Sequence, residues 1–192
     1  MARALRHPTL FLTGGIPVRI CEIQLRDAET LQAYVRRLSP ASRRNRFLGS
    51  LSELPQAELD RVTHLDQRSQ SALLAVTDFA GAPIVIGEMR QSVMPDGQSS
   101  ECALSVADEW QGRGLGTLLI KCLECRARAL RVRYLTGDVL RSNIPMQRLA
   151  QKMGFSFAPI VSDWKLVRIV KDLSAGEAGL PCEKSVAVPR AA

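Results

Sequence analysis

The chain has 192 residues, of which 46% are hydrophobic and 5% aromatic, and it carries a formal net charge of +7. That length and apolar content suit one domain with tails and a mainly aliphatic core. No apolar run approaches the ~20 residues needed to span a bilayer. The Leu10-Phe11-Leu12 patch is too short for a secretory signal, so a cytoplasmic protein without a membrane partner is expected.

Residues 1–16 read as an N-terminal extension, 17–172 as a single domain and 173–192, rich in Ala, Gly and Pro, as a flexible tail. Within the domain, 18–24 alternates as a strand. Asp27 caps a helix that ends at Ser39-Pro40. Residues 41–54 are polar and Arg-rich, a loop with a short helical piece. Pro55 opens a further helix. Residues 72–77 and 84–93 read as strands around the hairpin signal Phe79-Ala80-Gly81-Ala82. A strand at 101–107 leads into a glycine-rich loop, an amphipathic helix (115–130), a strand (134–140), a helix (144–153) and strands near 155–160 and 164–171. An antiparallel front and a crossover helix between neighbouring strands predict an α/β fold. Its sheet is mixed and mostly antiparallel, with helices on both faces.

Five cysteines, an odd number, give no disulfide framework. Cys122-Leu123-Glu124-Cys125 lies on the apolar stripe of the long helix with Leu115, Leu118 and Leu119. Without a second pair or a nearby histidine it reads as core, and no metal is expected. The cluster Arg36, Arg37, Arg43, Arg44 and Arg46 reads as a solvated face, with a cofactor phosphate, an acidic protein or nucleic acid as other partners. No nucleic-acid motif accompanies it and aromatics for base stacking are few, so no nucleic-acid partner is expected.

Gln111-Gly112-Arg113-Gly114-Leu115-Gly116 carries the most information. Alternate glycines at a strand-to-helix turn strip side chains from a run of backbone N–H groups. The first helical turn adds unpaired donors and the positive end of the helix dipole, a seat for phosphate. A dinucleotide fingerprint needs glycine where Thr117 stands, and a P-loop needs glycine at Thr117 and lysine at Leu118. Neither fits.

Gln-x-x-Gly-x-Gly resembles the acetyl-CoA signature of the GNAT superfamily of N-acetyltransferases. Leu135–Leu140 as the next strand, Asn143 before a short helix, and Lys152-Met153-Gly154-Phe155 extend the likeness downstream. Val35-Arg36-Arg37-Leu38-Ser39-Pro40, then Arg46-Phe47, is similar to the acetyltransferase domain of bacterial protein-lysine acetyltransferases, often fused to an acyl-CoA-synthetase-like or cyclic-nucleotide-binding domain. The likeness covers roughly residues 17–172.

The resemblance implies a sheet whose strands splay apart to admit the pantetheine arm of acetyl-CoA. It carries cofactor binding to Val106, Gln111, Gly112, Arg113, Gly114, Leu115, Gly116, Thr117 and Asn143, with Gly114 and Gly116 as positions where a Cβ blocks approach. Arg113 is also read as a solvent-facing loop residue, and Asn143 as a helix cap. Glu101, on the strand entering the loop, matches the family's strand glutamate and is the expected general base. Asp138 and Cys102 are its rivals. Ala150 stands where many members carry a tyrosine that protonates the leaving thiolate. The implied reaction is acetyl transfer to a primary amine, on a protein lysine or a small molecule, by direct attack in a ternary complex. A non-catalytic CoA-binding regulatory module is the other reading. A homodimer is a further implication.

Overall fold

The computed structural model describes residues 9–66 and 68–174. Eight strands form one sheet in the order β1-β2-β3-β4-β5-β6-β8-β7. They are β1 (Thr9–Phe11), β2 (Pro17–Glu22), β3 (Gln70–Phe79), β4 (Ala82–Val93), β5 (Ser99–Val106), β6 (Tyr134–Leu140), β7 (Ser156–Pro159) and β8 (Leu166–Asp172). Every neighbouring pair is antiparallel except β5 and β6. Among the described residues five α-helices accompany the sheet: α1 (Ala28–Arg37), α2 (Pro40–Phe47), α3 (Gln56–Thr63), α4 (Leu115–Ala129) and α5 (Ile144–Lys152).

The strand alternation of β4 divides the helices between the two faces. A Cβ at Gly87 would lie 3.2 Å from Leu115 and 3.3 Å from Leu119, so α4 covers that face closely. The next residue, Glu88, points to the other face and meets Arg46 of α2. A register shift between Ala75 and Val76 marks a bulge opposite Ile86, just before this point. Buried aliphatic residues fill both layers, among them Leu31, Val35, Ile86, Leu119, Leu123 and Leu135.

Several elements depart from the sequence reading. Thr9–Phe11, inside the expected extension, adds an edge strand paired to β2. The Arg-rich stretch after Ser39 is a full eight-residue helix, because Ser39 Oγ accepts the Ser42 N–H and Pro40 sits in its first turn. Asp27 does not cap α1 with its side chain; its Oδ2 accepts the Gln24 N–H at 2.8 Å. Cys122 is free and buried, but Cys125 is disulfide-bonded, against the expectation of no such link. Pairing is a matter of spatial approach that cysteine spacing does not report. The expected tail lies outside the described residues after Ser174.

Candidate functional site

Strand β5 keeps its β4 neighbour to the end, through Gly87↔Val106. Its parallel partnership with β6 covers only Ser99–Glu101 against Tyr134–Thr136. Past Glu101 the strands diverge, while β6 continues to pair with β8 as far as Leu140↔Leu166. One edge of β5 therefore faces a gap instead of a strand. Gly137 stands at the fork, where a Cβ would come within 2.9 Å of the Cys102 carbonyl oxygen. The gap opens into a cavity of about 390 Å³, the larger of the two described.

At the wide end of the gap the glycine loop turns the chain into α4. Gly112 (φ +73°) and Gly114 (φ +89°) adopt left-handed conformations that favour glycine. No side chain caps α4. Its first-turn N–H groups therefore have no partner from a cap or from within the helix. Gly114, Gly116 and Thr117 line the cavity, so these donors and the positive dipole end stand beside it. The arrangement fits an anionic group with an extended, hydrogen-bonding arm.

The expected cofactor residues divide. Val106, Gln111 and Gly112 line the same cavity, as does Asn143. Leu115 is 1% exposed and its side chain belongs to the core. Arg113 lies outside the lining, with its guanidinium 5.2 Å from the Trp110 ring centre. The Gln111 side chain is used internally, donating to the Val106 carbonyl at 3.1 Å and to Ser42 Oγ at 3.3 Å. Asn143 caps α5, accepting the Met146 N–H at 3.2 Å. At Gly116 a Cβ would fall 2.7 Å from Leu149 Cδ2. That glycine lets α5 pack on α4, a role additional to the expected approach of a ligand.

Glu101 is exposed and sits at the last paired position of the fork, opposite Thr136. It lies outside the lining, whereas Cys102 lies within it. Neighbouring strand residues point to opposite faces, and on β5 it is the Cys102 side that borders the cavity. Burial pushes the Cys102 thiol up to about 12, with Glu101 adding to the rise, so it stays protonated near neutrality. Asp138 lines the cavity, but both its oxygens accept from Arg168, at 2.8 and 2.9 Å. The Arg168 guanidinium is held more basic chiefly by that bond, and Glu101 adds to the field. Asp138 is thus held in an ion pair, whereas Glu101 makes no hydrogen bond or ion pair among the described residues. Ala150 is fully buried and offers no acid.

Two side-chain groups near the site were not singled out by the sequence. Asp108, just before the loop, accepts the Ser39 N–H (2.9 Å), the Ser39 hydroxyl (2.7 Å) and the Ser42 hydroxyl (2.8 Å). This clasp fastens α2 to the glycine loop across 69 positions of chain, a separation that leaves no local signal. Glu88, wholly buried, accepts from both Arg46 and Arg90. Its signal was present: a lone acid inside the apolar run Val85-Ile86-Gly87-Glu88-Met89 must find cations in the fold.

The fork lies beside the uncapped start of α4, with the Glu101 carboxylate exposed at its last paired position. The sequence model described as "Acetyltransferase (GNAT) family" matches residues 37–155. "Acetyltransferase PA5475" of Pseudomonas aeruginosa is 31% identical over 144 residues, 75% of this chain and 77% of that protein. The GNAT domain of S. lividans PAT superposes with a TM-score of 0.79 at 24% identity, over 90% of this chain and 99% of that one. The cAMP-binding acyltransferase from Mycobacterium smegmatis gives a TM-score of 0.60 at 20% identity, over 95% of this chain but 50% of that one. The chain belongs to the acetyltransferase (GNAT) family, whose members use acetyl-CoA to acylate an acceptor. Among the described residues no helix is long and apolar enough to cross a membrane.

Proposed function

We propose that the protein is a cytoplasmic, acetyl-CoA-dependent N-acetyltransferase that acylates a primary amine, on a protein lysine or a small molecule, by direct attack. The observation that carries this reading is the fork: β5 and β6 part beyond Glu101 beside a cavity that ends at the uncapped N-terminus of α4. The amides of residues 111–117 hold the pyrophosphate of acetyl-CoA. The free edge of β5 from Cys102 to Val106 receives its arm, which brings the thioester toward the fork.

The acceptor sets the chemical demand. A lysine-type ammonium with a pKa near 10.4 is neutral in only about one part in a few thousand at pH 7. Only the neutral amine attacks, so deprotonation costs roughly 4–5 kcal/mol unless a base or a lowered pKa helps. Glu101 takes that proton, directly or through water. The new C–N bond forms as the C–S bond breaks, and the CoA thiolate leaves with the electron pair. A thiol pKa near 8.5 makes that thiolate a tolerable leaving group. With Ala150 in the tyrosine's place, the thiolate takes up through water the second proton, which the attacking nitrogen sheds as it becomes an amide.

Thiol release from acetyl-CoA in the presence of polyamines, aminoglycosides, amino acids and lysine peptides tests the reading. Acceptor-dependent release is expected. Tight CoA binding with no release for any amine would favour the regulatory module instead.

A further inference from the structure

We propose that Arg46 is an acceptor-recognition group, and that the α2 wall of the cavity selects amines carrying a carboxylate close to the reacting nitrogen. This rests on the amine transfer proposed above and names its acceptor class. Ser42, Asn45 and Arg46 of α2 line the cavity. The helix that carries them is fixed at both ends. Asp108 holds its start through Ser39 and Ser42, and Glu88 holds Arg46 near its end.

Arg46 engages Glu88 through Nε and, at 3.4 Å, through Nη2, so its third nitrogen, Nη1, is not used in that pair. Only 9% of the Arg46 side chain is exposed. It is a cation fixed in a largely desolvated wall, where a charged hydrogen bond is stronger than in water.

Charge counting shows what that wall lacks. Glu88 also accepts from Arg90 Nε at 2.9 Å. Glu58 receives Arg90 Nη1 at 2.6 Å and two bonds from Arg61, each 2.8 Å. Three guanidiniums therefore share two carboxylates. Arg90 Nη2 is buried without a hydrogen-bond partner. Tyr34 and Ser105, which continue the network at 3.0 and 3.2 Å, are uncharged. Asp138, elsewhere in the lining, is matched by Arg168. Of the three guanidiniums, Arg46 alone lines the cavity, its carboxylate partner is shared with Arg90, and the Glu101 carboxylate stands outside the lining.

The acyl donor's phosphates do not reach this wall. They belong at the start of α4, which packs on the sheet face of Gly87, whereas Arg46 packs on the face of Glu88. An anion on the acceptor meets Arg46. Its source is either the main-chain carboxylate of a free amino acid or an Asp or Glu beside a protein lysine.

Calorimetry on the intact protein saturated with CoA separates these sources. One pair of ligands is Nε-acetyl-lysine peptides with Asp or Asn next to the lysine. The other is N-acetyl amino acids with free or amidated carboxyl groups. In at least one pair the carboxylate member is expected to bind roughly tenfold more tightly. The advantage should shrink with salt, vanish in Arg46→Gln and persist in part in Arg46→Lys. Equal affinities within both pairs for the wild-type protein would overturn the proposal, and that comparison needs no variant to fold. An equal fall in kcat on acidic and neutral acceptors in Arg46→Gln, with affinities unchanged, would put Arg46 on the acyl group and also overturn it. Failure of every amine to release thiol would refute the transfer reading, while the binding comparison would still decide the carboxylate preference.

Discussion

Glu101 and Cys102 are adjacent on β5, and the fork gives them opposite chemical fates. The Glu101 carboxylate is exposed at the point where β6 departs. The Cys102 thiol is pushed up to about 12, mainly by burial. Glu101→Gln keeps the size and removes the base. It is expected to bind acetyl-CoA normally and to lose about 10²–10⁴ in turnover at neutral pH. Part of the rate should return in alkali as free amine becomes available. Thiol release measured between about pH 6 and pH 9 reads this directly, and an unchanged profile would remove Glu101 from the mechanism. Cys102→Ala removes a protonated thiol from the cavity wall, so turnover should stay within about threefold of wild type, with no trapped acyl-enzyme by mass spectrometry. A covalent acetyl group on Cys102 in the wild-type protein would replace direct attack by two-step transfer.

The elements were legible in the sequence to the extent that their signals are local. The alternation of β2, the Ala80-Gly81 hairpin and the 3.6-residue stripe of α4 are each written within a few turns of chain. The glycine loop was legible because Gly112 and Gly114 are needed for backbone conformation. What escaped depends on pairing between distant segments. β1 is three residues long. α2 hides behind its three arginines, Arg43, Arg44 and Arg46. The clasp of Asp108 on Ser39 and Ser42 spans the domain. The fork itself is set by where β6 stops pairing with β5, which no periodicity encodes. Gly137 gives a handle on it. Gly137→Ala places a Cβ against the Cys102 carbonyl oxygen, a main-chain atom that cannot rotate away. Overpacking of this kind typically costs about 1–3 kcal/mol. At about 2–4 °C per kcal/mol for a domain of this size, thermal unfolding should fall by several degrees. Because the displaced strand edge is the one facing the gap, acetyl-CoA affinity should fall with it. A stable variant with unchanged affinity would show that the fork tolerates widening and that the β5 edge is not the arm's binding surface.

Glu88 ties α2 to the centre of the sheet. It is central in the sheet, it is wholly buried, and its guanidinium partners come from α2 and from β4 itself. Burial alone would raise its carboxyl. Arg46 and then Arg90 outweigh that and hold it at about 2, against an ordinary value of 4.5. A carboxyl depressed by folding contributes stability in full above its unfolded pKa and loses it as pH falls through the folded one. The wild-type protein should therefore lose stability progressively between about pH 4.5 and pH 2, beyond what its exposed acids explain. Glu88→Gln keeps the shape and deletes the anion, leaving Arg46 and Arg90 buried beside each other. Removing one side of a buried ion pair typically costs about 3–5 kcal/mol. The variant should lose this at neutral pH in urea titrations and show a flatter acid profile, because the group that titrates is gone. The alternative has a clear signature. If Glu88→Gln is as stable as wild type at pH 7, desolvation of the cluster cancels its attraction. Glu88 would then hold Arg46 in place for acceptor recognition without stabilising the domain, and the variant's deficit would appear in acceptor affinity alone.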